Sequence, residues 1–179
     1  MNETDEAWVG SPRRFDIDLL IVHPTLPPAT ITAAMRWQPH VVHAVGAARS
    51  TPNGMALPGH YRDTRWRYEW RYVTREQWFT FALDAAVRAL EKRALFLRRL
   101  LDSGGEVHLS VQFLGDGYFG DAVAPDTLAR LARLGVHFGI EVFMVPQSQH
   151  RGTRRRRYVH PARRLPPAAA APADVPVQS

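Results

Sequence analysis

The fold is decided by residues 61–114, which read YRDTRWRYEWRYVTREQWFTFALDAAVRALEKRALFLRRLLDSGGEVHLSVQFL. This stretch predicts an aromatic strand (residues 61–73), a long helix (residues 75–102) and a second strand (residues 106–114). The aromatic residues of the first strand alternate with charged ones, and they are Trp66, Tyr68, Trp70 and Tyr72. Alternate residues of a strand point to opposite faces. We therefore expect the aromatic face in the core and the charged face in solvent.

The same alternation bears on nucleic-acid binding. A stacking surface for bases needs aromatic and arginine side chains on one face. Alternation places Trp66 and Trp70 opposite Arg65, Arg67 and Arg71. A core strand is therefore favoured over a base-stacking surface.

Local signals mark both ends of the long helix. Thr74, with Gln77 three residues later, matches a capping box. Ser103-Gly104-Gly105 is typical of a helix end. A single helix over these residues would be roughly 40 Å long at about 1.5 Å per residue, which is longer than an ordinary strand. We expect its end near residues 98–102 to overhang the sheet or bend.

The rest of the chain follows the same periodicities. Further strands are predicted at residues 13–23, 41–45 and 136–145, and further helices at residues 29–37 and 125–134. Residues 47–60 predict a long surface loop with a tight turn at Asn53-Gly54. The order predicts an α+β fold: a mostly antiparallel four- to five-stranded sheet with two or three helices on one face. We expect a ferredoxin-like arrangement with an added βα unit.

The net charge is concentrated near the C-terminus. The chain carries +6, but residues 147–179 hold seven of the 23 Lys and Arg and one of the 17 Asp and Glu, so residues 1–146 are neutral overall. This segment is rich in Arg, Pro and Ala and has little apolar surface to repay the entropy of ordering. We expect a flexible leader at residues 1–12, a single α+β domain at residues 13–146 and a disordered tail at residues 147–179.

Composition excludes several classes. Cysteine is absent, which excludes disulfides and thiolate metal sites. The acidic start has no apolar run typical of a secretory signal, and no stretch is long and apolar enough to span a membrane. We expect a cytoplasmic protein without a membrane partner, and the sequence leaves its oligomeric state open.

Residues 15–145 resemble a bacterial domain-of-unknown-function family, DUF 4279. The resemblance rests on four segments: the strand and proline-started helix at residues 15–37, the Trp-bearing strand at residues 65–72, the helix closing in Ser103-Gly104-Gly105, and residues 107–145, where a Gly-Asp-Gly loop and a Pro125-led helix separate two strands. Residues 39–60 and the tail depart from the family pattern. The family has no established activity or catalytic motif, so the resemblance implies a fold and domain limits without a substrate.

The glycine-rich loop after the second strand is a candidate ligand site. Its members are Asp116, Gly117, Tyr118 and Asp121. Backbone N–H groups of such loops can hold anions, but the loop lacks the residue spacing of a phosphate or calcium loop. We favour a structural turn in which aspartates bond the local backbone.

Histidines offer a second candidate. His40 and His43 are three residues apart, as zinc ligands on a helix can be, with His23 and His60 nearby in sequence. Pro39 argues against that helix. We expect surface or capping histidines and no metal site.

Paired carboxylates are a third candidate. Asp16 and Asp18 share one face of the first strand, and such pairs can do acid–base work. We favour solvent-facing side chains or ion pairs with Arg67 or Arg71, worth about 0–1 kcal/mol each.

No convergent catalytic set and no cofactor motif emerges from the sequence. The leading hypothesis is a non-enzymatic binding or protein-interaction module with a protein partner that the sequence does not identify. The alternative is weak, nonspecific nucleic-acid association through the tail, whose densest basic run is Arg154, Arg155, Arg156 and Arg157. A second alternative is a small-molecule enzyme whose site the sequence does not reveal.

Overall fold

The computed structural model describes residues 13–51, 53–74, 78–114 and 120–143, all within one compact unit, Met1–Pro146. The predicted leader and tail lie outside these residues. The elements are, in order, β1 (Arg13–His23), α1 (Pro28–Met35), β2 (Val41–His43), β3 (Ala48–Ser50), β4 (Ala56–His60), β5 (Thr64–Thr74), α2 (Phe79–Glu91), α3 (Ala94–Asp102), β6 (Glu106–Leu114), α4 (Pro125–Arg133) and β7 (His137–Phe143).

The main sheet has five strands in the order β2-β5-β1-β6-β7. All neighbouring pairs are antiparallel except β6 and β7, which are parallel. The crossover from β1 through α1 to β2 passes over β5, and the crossover from β5 through α2 and α3 to β6 passes over β1. These interleaved crossovers form the ferredoxin-like arrangement, and α4 with β7 is the added βα unit. The predicted α+β class is confirmed, with a mixed sheet.

All four helices contribute side chains to one core cluster with the strands, so they lie on the same face of this sheet. That face carries the core. Phe15, Ile17, Leu19 and Ile21 of β1 are fully buried there. In register, Ile17 lies opposite Trp70 on one side and Val111 on the other. Trp66 is also fully buried, and Tyr68, Trp70 and Tyr72 pack against the core, so the predicted role of the aromatic strand is confirmed.

The prediction of one long helix is wrong, because the chain forms two. The break lies at Lys92 and Arg93, earlier than the expected bend, and Arg93 leaves helical geometry with φ −120° and ψ 13°. The break lets α2 pack on β1 and α3 pack on β6, as a crossover between strands on either side of β1 requires. The number of helices among the described residues is therefore four.

The start of that helix also differs from the prediction. Thr74 ends β5, where it pairs with Arg13, and Trp78 is the N-cap of α2. Thr74 therefore belongs to the strand β5 and not to the helix start that the capping-box pattern predicted. Gln77 lies outside the described residues.

The predicted loop at residues 47–60 contains a small hairpin of β3 and β4. The tight turn at Asn53-Gly54 is confirmed: Gly54 has φ 82°, and its N–H donates to the Thr51 carbonyl at 2.9 Å. Among the helices described, none combines the length and the apolar character needed to cross a membrane.

Candidate functional site

A basic groove lies where the end of α1 meets the junction of α2 and α3. Helix α1 ends at Met35, and Arg36 adopts a left-handed conformation with φ 57°. Its N–H donates to the Thr32 carbonyl at 2.8 Å. Among the described residues it is the one non-glycine with positive φ. This turn redirects the chain toward Trp37 and leaves the Arg36 side chain exposed at the rim of the groove.

Arg93 fastens the two sides of this junction together. Its Nε donates to the Met35 carbonyl at 2.6 Å and its Nη1 to the Ala89 carbonyl at 2.7 Å. Its guanidinium lies 3.9 Å from the centroid of the Trp37 ring, a cation–π contact. Burial, followed by repulsion from Arg36, lowers the pKa of Arg93. The break between α2 and α3 thus coincides with a residue whose side chain also binds the end of α1.

The groove has a volume of about 680 Å³. Its lining residues are Ala34, Arg36, Lys92, Arg93, Leu95, Phe96 and Arg99. The lining contains basic and apolar side chains and no acidic one. Its volume falls within the range of about 300–1,000 Å³ that is typical of ligand-binding clefts.

The positive charge of the groove is not balanced by the part of the chain that the structure describes. The arginines that form ion pairs among the described residues all lie outside the groove, and they are Arg65, Arg67, Arg71, Arg88 and Arg130. The four cations of the groove form none with a described carboxylate. A concave surface lined by one sign of charge concentrates counter-ions and charged ligands. The arrangement can therefore hold an anion.

An aromatic cluster supports the groove from below. Tyr68 stacks on Trp37 with centroids 5.2 Å apart, and Trp70 meets Trp37 edge-on at 5.1 Å. Arg93 covers the Trp37 ring as well. This cluster joins the groove to the aromatic face of β5.

A second polar cluster joins α4 to α2. Arg130 donates to both carboxylate oxygens of Glu91, at 2.9 and 2.8 Å, and to Asp84 at 2.6 Å. The hydrogen bonds from Arg130 lower the pKa of Glu91. All of its charges are paired, so this cluster fixes helix packing.

Of the two alternatives predicted for the paired carboxylates of β1, the structure shows the ion pair at Asp18. Asp18 forms the expected ion pair with Arg67, at 2.5 Å. Asp18 is only 5% exposed, so the ion pair, and not the solvent-facing alternative, is the one observed. Burial raises the pKa of Asp18 in spite of the Arg67 hydrogen bond, and burial likewise raises the pKa of Asp16 beside Arg71.

The histidines lie on different parts of the fold. His40 Nδ1 accepts a hydrogen bond from the Glu69 N–H at 3.1 Å, and the His43 ring stacks on Tyr61. His23 caps the end of β1 and bonds Ser103 at 3.0 Å. Within the described ranges, no group of three His, Asp or Glu side chains is placed to hold a metal ion.

The predicted ligand loop falls mostly outside the described residues, which exclude Asp116, Gly117 and Tyr118. Asp121 is described. One of its carboxylate oxygens accepts the Ala122 N–H at 2.8 Å, and the other accepts the Thr80 hydroxyl. The second bond ties Asp121 to the start of α2. The basic run at residues 154–157 also lies outside the described residues.

Sequence reasoning missed the groove. Lys92, Phe96 and Arg99 recur at intervals of four and three residues, and this spacing, which would share one face of the single helix predicted from the sequence, was the available signal. The left-handed turn at Arg36 has no sequence signature, because arginine rarely adopts positive φ. Without that turn, the sequence gives no reason to place Arg36 beside Lys92, Arg93 and Arg99.

No family model matches the chain, and comparisons with curated proteins and with solved structures found no match either. The resemblance to DUF 4279 therefore stays a prediction.

Proposed function

We propose that this protein is a cytoplasmic, non-enzymatic binding module that holds an anionic ligand in the groove between α1 and the α2–α3 junction. The observation that carries the proposal is the lining itself: four cations, Arg36, Lys92, Arg93 and Arg99, with no carboxylate among them.

Like charges gathered in one groove oppose folding through mutual repulsion. Burial and, after it, repulsion from Arg36 lower the pKa of Arg93, so this repulsion acts on at least one cation of the groove. An anion seated between these side chains would relieve the repulsion. Binding would then stabilise the folded chain by mass action.

The groove combines a fixed element with adjustable ones. Arg93 is held by two carbonyls and by Trp37. Arg36, Lys92 and Arg99 are exposed, without described ion pairs that a ligand would have to break. A ligand therefore meets one positioned guanidinium, which reduces the entropy lost on binding.

The test compares charge reversals in the full-length chain. Fluorescence anisotropy measures the binding of labelled poly-glutamate and labelled oligo-thymidylate to Lys92→Glu/Arg99→Glu. The matched control is Arg62→Glu/Arg98→Glu, which reverses the same number of exposed charges outside the groove. All chains carry Arg154, Arg155, Arg156 and Arg157 replaced by Ser, so that the tail does not mask the groove.

We expect the groove variant to lose roughly tenfold or more in affinity for at least one probe, about 1.4 kcal/mol, and the control to lose far less. Equal losses in the two variants for every probe would overturn the proposal. Circular dichroism and thermal melting verify that both variants fold.

A second candidate is favoured by the concentration of charge near the C-terminus, where residues 147–179 carry the whole net charge. Under this proposal the tail binds nucleic acid weakly and nonspecifically through phosphate contacts. Replacing the four arginines of residues 154–157 by Ser, with the groove intact, should then abolish binding to RNA and DNA and flatten its salt dependence. If the parent chain and this Ser variant bind RNA and DNA equally poorly, this candidate is wrong.

A further inference from the structure

We infer that the ligand of the basic groove is a short acidic polypeptide segment that carries an aliphatic side chain. The inference rests on the proposed function and adds the chemical class of the partner. It is drawn from the apolar part of the lining, the position of the aromatic rings and the spread of the cations.

The groove offers apolar surface beside its charges. Leu95 is 65% exposed although its neighbours in the groove are basic, and Phe96 is partly buried against the core. Ala34 adds a small apolar wall from α1. Covering Leu95 with an aliphatic group removes apolar area from water, which a purely ionic ligand does not do.

Nucleic-acid bases fit this lining poorly. Sequence-tolerant binding of single strands depends on aromatic faces that are open to bases. The Trp37 ring at the groove is covered by Arg93 and stacked on Tyr68. Phe96, the aromatic residue of the lining, packs against the core. The aromatic groups thus serve the fold.

A single phosphate also fits poorly. Lys92 is the C-cap of α2 and Arg99 lies in the last turn of α3, on opposite sides of the break between the two helices. Arg36 approaches from a different helix. Cations spread in this way match separate carboxylates along a chain better than one point of charge. Arginine in particular pairs with carboxylates through two parallel hydrogen bonds.

The size of the groove limits the length of the segment. A cleft of about 680 Å³ encloses a few side chains and not an extended protein surface. The inferred partner is therefore a short stretch in which acidic residues flank one aliphatic residue.

The test uses the full-length chain with residues 154–157 changed to Ser and four probes: a labelled Glu/Leu peptide, a Glu/Ser peptide of equal charge and length, oligo-thymidylate and inorganic pyrophosphate. The variant is Leu95→Ser, and its control is Leu128→Ser, an exposed leucine of α4 outside the groove. We expect the Glu/Leu peptide to bind roughly tenfold more tightly than the Glu/Ser peptide. Leu95→Ser should abolish this preference, while Leu128→Ser should preserve it.

Two outcomes separate the inference from the function on which it rests. If oligo-thymidylate or pyrophosphate displaces the Glu/Leu peptide at lower concentration than the Glu/Ser peptide does, and its own binding depends on Lys92 and Arg99, the groove binds anions but the inferred ligand is wrong. If the binding of no probe depends on Lys92 and Arg99, the proposed function fails together with the inference. Equal binding of the two peptides also overturns the inference.

Discussion

The guanidinium of Arg93 lies 3.9 Å from the centroid of the Trp37 ring, and the two residues join the basic groove to the core. Trp37 packs on Tyr68 and Trp70 of β5, while Arg93 binds carbonyls of α1 and α2. A ligand that contacts Arg93 therefore touches a side chain on which helix packing also depends. Binding and stability should be coupled at this residue.

The first prediction concerns Arg93 itself. Arg93→Ala removes a cation–π contact and two hydrogen bonds to carbonyls, so the free energy of unfolding should fall by about 1–3 kcal/mol. Arg93→Lys keeps the charge but not the planar donor group, and should lie between Ala and the parent chain. Urea denaturation followed by tryptophan fluorescence measures both. Arg99→Ala, exposed in the same groove, is the control and should change stability by less than about 0.5 kcal/mol. Equal effects at the two arginines would mean that Arg93 has no structural role.

The second prediction concerns Trp66, which is fully buried on β5. Trp66→Ala should lower the free energy of unfolding by about 3–5 kcal/mol, the usual cost of such a cavity. Its Nε1 donates to the Thr32 hydroxyl at 2.9 Å. Thr32→Val leaves that donor unpaired and should cost about 1–3 kcal/mol. Phe81→Ala, at an exposed aromatic residue of α2, is the control. A loss of stability there as large as that of Trp66→Ala would mean that the face assigned to the core is wrong.

Much of this fold could be predicted from alternation alone. Period-two patterns in β1 and β6 placed both strands at their observed bounds, because one buried face fixes which residues point inward. The helix break at Lys92 and Arg93 could not be predicted in this way. The apolar spacing continues through it, and the bend arises from long-range bonds of Arg93 to Met35 and from the need to cross β1.

The candidate site was less accessible to sequence reasoning than the fold. Its residues are basic and exposed, and such residues are ordinary on helix surfaces when seen one at a time. Whether such a residue can serve an anionic ligand depends on whether a carboxylate lies near it in space and pairs with it. Arg130 and Arg99 look alike in the sequence, yet Arg130 is paired with Glu91 and Asp84 while Arg99 has no described ion pair.

The third prediction is an asymmetry between Asp18 and Arg67. Arg67→Ala leaves the nearly buried Asp18 carboxylate without its partner and should cost roughly 1–3 kcal/mol, allowing for the partial exposure of Arg67. Asp18→Asn removes the charge whose desolvation raises the Asp18 pKa, so its cost at neutral pH should be smaller, below about 1 kcal/mol.

The stability that Asp18 contributes also depends on pH. The folded-state pKa of Asp18 is above its ordinary value of 3.8, so the folded chain binds the extra proton as pH falls. The stability that Asp18 contributes should therefore be highest at acid pH and decline as pH rises through the folded-state pKa. Denaturation of the parent and of Asp18→Asn, from below pH 3.8 to neutral pH, measures the difference. A larger loss for Asp18→Asn than for Arg67→Ala at pH 7 would contradict the assignment.

The fourth prediction concerns His23. Its Nδ1 accepts the N–H groups of Thr25 and Leu26, at 3.1 and 2.8 Å, so its Nε2 carries the proton and faces Ser103. Burial lowers the pKa of His23 below 6.5. Below pH 6.5 the unfolded chain takes up a proton that the folded chain refuses, so stability should fall as pH drops toward the folded-state pKa.

Thermal melting between about pH 7.5 and pH 5 tests this linkage. His23→Gln should be less stable than the parent at the upper end, because its amide does not reproduce both sets of bonds, and its stability should change less across the interval. His40→Gln is the control, since His40 lies at an exposed position. A parent chain whose pH dependence survives unchanged in His23→Gln would rule out His23 as the source.

The fifth prediction compares Gly105, which directly precedes β6, with Gly139 of β7. A Cβ at Gly105 would lie 2.8 Å from the Leu100 carbonyl oxygen and 2.8 Å from the His23 ring, and 2.4 Å from the Leu100 side chain. The carbonyl belongs to the helix end that the Gly105 N–H itself closes, at 2.9 Å, so it cannot move aside without breaking that bond. Gly105→Ala should therefore lower the free energy of unfolding by about 1–3 kcal/mol. Gly139→Ala is the control, because its Cβ would meet Ser110 at an ordinary 3.5 Å, and denaturation should show little change. If the two alanines prove equally tolerated, the close approach of α3, β1 and β6 at Gly105 is looser than the structure shows.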